Sequence, residues 1–181
     1  EMRVIVDGFD KVAAMKKTYK KLNLDALAVL GGNGSLKSAN MLAQEGLNVI
    51  GLPKTIDNDT WGTDYTFGFQ SAIDIATRYL DDIHTTAQSH SRVFVVEVMG
   101  HKVGHITLAA GLAAGSDIIL LPEIPYDINV VAKKVKERQK SGKGFTVIAA
   151  AEGAISKEDA TLPKKKYKAK VAARNGASVV N

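Results

Sequence analysis

Two short segments carry most of the chemistry-bearing residues of this 181-residue chain. The first is Gly31-Gly32-Asn33-Gly34-Ser35. Three glycines let the backbone turn sharply and approach a ligand closely, and the amides of a helix opening there would face an anion such as phosphate. It is not a Walker A loop, because Leu36 stands where that motif needs its second glycine. Simple strand-to-helix turn geometry would ask for the same residues. The second segment is Pro53-Lys54-Thr55-Ile56-Asp57-Asn58-Asp59, with two carboxylates, an amide, a hydroxyl and an ammonium close together. Asp57 and Asp59 lie two apart, so they need not point the same way. One can take a proton from a substrate hydroxyl while the other orders the loop or a hydrated metal. An Asx-rich turn, with Asn58 and Asp59 capping local amides, would have the same composition.

The elements that must present these segments alternate between short β-rich runs and longer helical stretches. Leu24–Leu30 reads as a buried strand running into Gly31-Gly32, Leu36–Glu45 as a helix closed by Gly46, and Val49–Leu52 as a strand stopped by Pro53. Phe69–Thr85 has apolar residues at helical spacing. Arg92–Val98 is a run of β-branched and aromatic residues and the clearest strand. A small-residue helix at Thr107–Ala114, a strand at Asp117–Leu121, a charged helix at Asn129–Gln139 and a strand at Phe145–Ala151 complete the pattern. Near-continuous apolar strands separated by helices predict an α/β fold, a doubly wound, mostly parallel sheet in a Rossmann-like three-layer α/β/α arrangement, covered on both faces. Ligands of such sheets bind beyond the C-terminal strand ends. The segments 31–35, 53–59, 99–101, 122–123 and Glu152 all follow strands.

Composition limits the alternatives. The chain is 45% hydrophobic and 24% charged, enough for a core and ordinary for a globular protein. No apolar run approaches the ~20 residues of a membrane span, and Glu1–Asp7 lacks the apolar stretch of a secretory signal. Cysteine is absent, which removes disulfides, thiol nucleophiles and thiolate metal sites. The expectation is a cytoplasmic protein without a membrane partner. The net charge is +5, and much of the excess lies in Lys164-Lys165-Lys166-Tyr167-Lys168-Ala169-Lys170, expected as a solvated surface helix or frayed tail. Aromatic residues make up 6% and none form a stacking platform with the lysines, so nucleic acid is not an expected partner. His101 and His105 stand at i, i+4, but no acidic partner accompanies them and the spacing makes no zinc site. Trp61 and Tyr65 are expected to pack rather than to cover a site.

Taken together, the two segments resemble the phosphofructokinase superfamily, whose members use ATP or pyrophosphate. Gly31–Ser35 is similar to the family's G-G-D-G-S/T donor loop, and Pro53–Asp59 to its P-(G/K)-T-I-D-N-D catalytic loop. Thr66-Phe67-Gly68-Phe69, Ser89-His90-Ser91-Arg92, Val96-Glu97-Val98-Met99-Gly100, Leu121-Pro122-Glu123 and Ala151-Glu152-Gly153 follow in the family's order, so the resemblance runs from about Leu24 to Gly153. It implies a glycolytic 6-phosphofructokinase, an allosteric cytoplasmic enzyme that phosphorylates the 1-hydroxyl of fructose 6-phosphate. Asp57 then resembles the general base, Thr55 a residue holding the transferred phosphoryl group, and Lys54 and Asp59 their loop neighbours. Met99, Gly100 and His101 resemble sugar contacts, and Glu152 a carboxylate binding sugar hydroxyls. Arg92 resembles the arginine that reaches a sugar phosphate in the adjacent subunit of a homodimer or homotetramer. Gly32, Asn33, Gly34, Ser35 and Ser38 resemble nucleotide contacts, and a Mg2+ ion is implied between donor and loop, beside Asn33.

The chain departs from the family pattern at three places. Asn33 replaces the usual Asp, keeping an oxygen ligand but losing its charge. His101 stands where the best-known members have Arg, exchanging a permanent charge for a titratable one. Lys54 is typical of pyrophosphate users and of some ATP users, whereas Gly34 favours ATP. The two donor signals conflict, with ATP the favoured reading. The resemblance also implies a longer chain, with a donor-phosphate loop upstream and sugar-phosphate residues downstream. The 181 residues therefore read as an internal piece, without turnover by itself, with a donor part at about 1–88 and a sugar-phosphate part at about 89–181. The competing reading is a non-catalytic α/β module that binds phosphate ligands.

Overall fold

The computed structural model describes residues 8–173; the stretch read above for a secretory signal lies outside them, as do residues 174–181. The described residues form two compact units, one of residues 8–55 and 60–67, the other of 56–59 and 68–173.

The first unit contains α1 (Lys11–Lys21), β1 (Leu27–Gly31), α2 (Asn33–Gln44) and β2 (Val49–Pro53). Asp10 caps α1 by accepting the Ala13 N–H at 3.0 Å, and Lys20 and Lys21 in the last turn suit the negative end of the helix dipole. Strands β1 and β2 pair in parallel, Leu27 opposite Val49 through to Gly31 opposite Pro53. Helix α2 buries Ala39, Met41 and Leu42. Along β1 the exposed and half-buried positions alternate, leaving Leu30 open to solvent, and Ile50 of β2 is exposed as well.

The second unit contains α3 (Phe69–His90), β3 (Val93–Val98), α4 (His105–Ala113), β4 (Ile118–Leu120), α5 (Ile128–Lys140), β5 (Thr146–Ala151), α6 (Lys157–Ala160) and α7 (Lys164–Ala173). Its sheet is parallel, in the order β3-β5-β4. The central strand β5 is buried at all six positions, which is why it tolerates only small and β-branched residues. Leu80 and Ala87 of α3 and Ala110 of α4 pack against Val147 and Ala149 to make the core. A second cluster joins Phe69, Val98 and Ile106 at the C-terminal end of β3. Asp117 accepts the Val147 N–H at 3.0 Å and pairs with Arg138, tying α5 to the start of the sheet.

The α/β class with parallel strands is as expected. The strands divide between two parallel sheets, one in each unit, in place of the single sheet anticipated. The expectation of cover on both faces holds for β5 but not for β3, where Val93 and Val95 are exposed. An apolar side chain counts the same in a pattern whether or not something lies against it. Trp61 is 98% exposed and Tyr65 70%, so neither is buried, against the packing expected for them. The lysine run forms a surface helix, α7, with no buried residue, although Lys170 reaches the buried carboxylate of Asp159. No described helix is long and apolar enough to cross a membrane.

Candidate active site

In the first unit, the end of β1 brings the glycine-rich turn to the start of α2. Gly32 occupies the N-cap position in extended backbone with no side-chain cap, and Asn33, Gly34 and Ser35 form the first helical turn, all exposed. The N–H groups of such a first turn lack intrahelical acceptors, a physical requirement for holding an anion. Gly31 must be glycine because a Cβ there would collide with the Ser35 side chain. A Cβ on Gly34 would instead meet nothing within 4 Å. Ser38 donates to the Gly34 carbonyl at 3.3 Å, one turn further along.

Strand pairing sets the second segment beside this turn. With Gly31 opposite Pro53, the chain leaves both strands side by side, and the Lys54 N–H donates to the Gly31 carbonyl at 2.9 Å. A Cβ on Gly32 would stand 3.7 Å from Thr55 Cβ and 3.8 Å from the Lys54 carbonyl oxygen. The loop is secured from its other side: Phe67 N–H donates to the Pro53 carbonyl at 2.9 Å, and buried Thr66 donates to the Thr55 carbonyl at 2.7 Å. Gly32, Asn33, Gly34, Ser35, Ser38, Lys54 and Thr55 therefore form one constellation within this unit. Thr66 was visible in the sequence only as part of a motif; here it is a brace.

In the second unit, the candidate residues gather where β3 and β5 end. Glu152 follows β5, and one of its carboxylate oxygens accepts the N–H groups of Gly100, at 3.1 Å, and of His101. Gly100 is buried, and a Cβ on it would stand 2.6 Å from the Val103 carbonyl oxygen. His101 is exposed and held in left-handed backbone at φ 54°. It precedes α4 while His105 is the first residue of that helix, so the i, i+4 spacing does not set the two rings on one helical face. Met99 is 64% exposed beside them. Burial first, and then the charge of Glu152, raises the Glu97 carboxyl above the ordinary carboxylate range.

The tight turn from 99 to 105 depends on two further residues. Glu123 accepts the Gly104 N–H at 2.8 Å, and a Cβ on Gly104 would press on Leu121 and Glu123. A Cβ on Gly153 would collide with the His101 carbonyl oxygen. Gly153→Ala is therefore expected to cost about 1–3 kcal/mol of stability, read as a fall in the urea midpoint. Gly34→Ala, in open helical space, is expected to raise that midpoint slightly. A Gly153→Ala midpoint no lower than that of the parent would contradict this packing.

Asp57 belongs to this unit, as do Asn58 and Asp59. Its backbone carbonyl accepts a hydrogen bond from His105 Nδ1 at 3.3 Å. Asn58 sits in left-handed backbone at φ 54°, consistent with an Asx-type turn, and Asp59 is exposed. Arg92 does not join the group. It precedes β3, at the end of the strand opposite to Met99 and Gly100. Sequence reading places Glu123 in a segment that follows a strand and His105 in a histidine pair, but the roles they have here, toward backbone atoms distant in the chain, were not visible.

Among the described residues, no three or more His, Asp or Glu side chains gather to hold a metal ion. A Mg2+ ion would not require such a cluster, since it keeps several waters and takes one or two protein oxygens. In the first unit, the amide oxygen of exposed Asn33 is an oxygen of that kind.

The family model described as Phosphofructokinase matches residues 6–179. An ATP-dependent 6-phosphofructokinase of Spirochaeta thermophila is 57% identical over 157 residues, covering 87% of this chain and 43% of the relative. ATP-dependent 6-phosphofructokinase 2 of Clostridium perfringens is 56% identical over 142 residues, 78% of this chain and 39% of the relative. The chain thus spans less than half the length of these relatives. Among solved structures, phosphofructokinase from Saccharomyces cerevisiae gives a TM-score of 0.76 at 33% identity, over 93% of this chain and 26% of that one. A pyrophosphate-dependent phosphofructokinase from Nitrosospira multiformis gives 0.73 at 27% identity, over 82% and 41%.

Proposed function

Because the chain belongs to the phosphofructokinase family, we propose that the whole protein transfers the γ-phosphoryl group of ATP to the 1-hydroxyl of fructose 6-phosphate. The observation that carries the reading is the β1–β2 register: Gly31 opposite Pro53 holds a helix-opening, glycine-rich turn against Lys54 and Thr55. Phosphoryl transfer asks a protein chiefly for positioning and charge stabilisation. The open N–H groups at the start of α2 receive donor phosphates, with Gly32, Asn33, Gly34, Ser35 and Ser38 along the nucleotide. The ammonium of Lys54 offsets phosphate charge, and the Thr55 hydroxyl steadies the group in transit. Asp57 takes the proton of the attacking hydroxyl, with Asp59 shaping the same loop. Met99, Gly100 and His101 line the sugar, and Glu152, one oxygen of which is spent on the backbone of Gly100 and His101, turns the other to sugar hydroxyls. Asn33 would hold Mg2+, which when bound neutralises charge on the phosphates.

Arg92, at the far end of β3, serves a sugar phosphate bound by a neighbouring copy in a homodimer or homotetramer. The donor function falls in about residues 1–88 and the sugar-phosphate function in 89–181. We take the enzyme to be cytoplasmic, glycolytic and allosterically controlled, as the family resemblance implies.

Lys54 favours a second reading, pyrophosphate as donor, because its ammonium can pair with an anion in the volume an α-phosphate would fill. A coupled assay of the whole protein with fructose 6-phosphate, magnesium and either donor decides between them. Turnover at ~1–100 per second with ATP, well above that with pyrophosphate, is the expected result. A preference for pyrophosphate reverses the donor, and turnover with neither leaves a phosphate-binding module.

A further inference from the structure

We propose that His105 is a positioning residue of the phosphoryl-transfer site, clamping the backbone of the Asp57 loop to the first turn of α4. The inference rests on the function proposed above for what the loop does, but its geometry stands by itself. His105 Nδ1 lies 3.3 Å from the Asp57 carbonyl oxygen. A carbonyl oxygen only accepts, so Nδ1 carries the proton and the neutral ring is unprotonated at Nε2.

The ring is fixed at both ends. Its edge-to-face contact with Phe69 has a centroid separation of 6.3 Å and an interplanar angle of 72°. Phe69 is itself buried against Val98 and Ile106, at the end of β3 and in α4. The backbone that carries His105 is pinned one residue earlier, where Glu123 takes the Gly104 N–H and leaves no room for a Cβ. The carbonyl of Asp57 is thereby tied to the turn that also bears Gly100 and His101. The clamp itself uses only the main chain of Asp57. Positioning of this kind acts on the approach of base to hydroxyl, where a displacement of about 1 Å costs up to 10²-fold in rate.

The test uses the whole protein with two substitutions. His105→Phe keeps a ring against Phe69 but cannot donate, whereas His105→Asn keeps a donor near the position of Nδ1. The expected result is a kcat roughly 5- to 50-fold lower in His105→Phe with KM for the sugar within about twofold, and recovery to within about threefold in His105→Asn. A long-range 1H–15N spectrum of histidine-labelled protein, with His105 assigned by its loss in His105→Phe, should show the ring protonated at Nδ1. Unchanged kcat in His105→Phe, no recovery in His105→Asn, or a ring protonated at Nε2 alone overturns the clamp. Should the parent protein show no turnover at all, the phosphofructokinase reading fails and the tautomer alone decides the clamp. Should His105→Phe not fold, His105→Asn supplies the assignment and the spectrum of the parent decides the clamp.

Discussion

Asp57→Ser is expected to lower kcat of the whole protein by roughly 10²–10⁴ while leaving the affinity for fructose 6-phosphate nearly unchanged. A primary hydroxyl is a poor nucleophile while it keeps its proton, and a carboxylate within hydrogen-bond reach removes that proton as the bond to phosphorus forms. The interaction strengthens in the transition state, so its loss appears in kcat rather than in ground-state binding. Asp57 stands just past the end of β2, and His105 holds its main chain by the carbonyl, a contact that a serine at the same position retains. The substitution therefore tests the carboxylate rather than the fold of the loop. The measurement is steady-state kinetics with the sugar varied at saturating donor, beside a melting curve. Turnover within a few-fold of the parent, at unchanged stability, would remove Asp57 from the role of base.

Much of what positions that carboxylate could be read from the sequence, and the missing part has a common cause. β-branched and apolar runs punctuated by Gly and Pro located the five strands of the described residues, and the turns that follow them held most of the candidate residues. Helix boundaries were less legible. Helix α1 was missed because its lysines blur the apolar spacing, although Asp10 is a recognisable cap. Helix α4 begins two residues earlier than its apolar pattern suggests, since His105 and Ile106 follow a glycine whose N–H is held by Glu123. The division of the strands between two sheets was also not legible, because hydrophobic pattern says that a strand is buried but not which strand lies beside it. Within the site, the motif residues were found by type, but the contacts that fix them run from side chain to main chain. Glu152 to the amides of Gly100 and His101, Thr66 to the carbonyl of Thr55, and His105 to that of Asp57 are of this kind. The acceptor or donor in each is a peptide group that every residue possesses, so no residue type announces it.

Gly34→Asp should depress the use of ATP by about 100-fold in kcat/KM, and that of pyrophosphate by less than about tenfold. The residue is exposed, in the first turn of α2, and a Cβ there meets nothing within 4 Å. A carboxylate in the first turn of a helix is favourable to the helix itself, because it faces the positive end of the dipole. The variant should therefore fold at least as well as the parent, and what changes is the space and charge offered to the donor. In ATP, the chain of phosphates continues into a nucleoside, so the added side chain both obstructs its path and repels its α-phosphate. Pyrophosphate ends before that point, and Lys54, on the neighbouring loop, still faces its charge. Gly34→Ala separates the two causes, since it adds the Cβ without the charge. Donor binding and turnover are measured for ATP and for pyrophosphate on one preparation of each variant. Equal losses for both donors would mean that the turn does not lie along the nucleotide, and the assignment of Gly32 to Ser38 to the donor would fall with it.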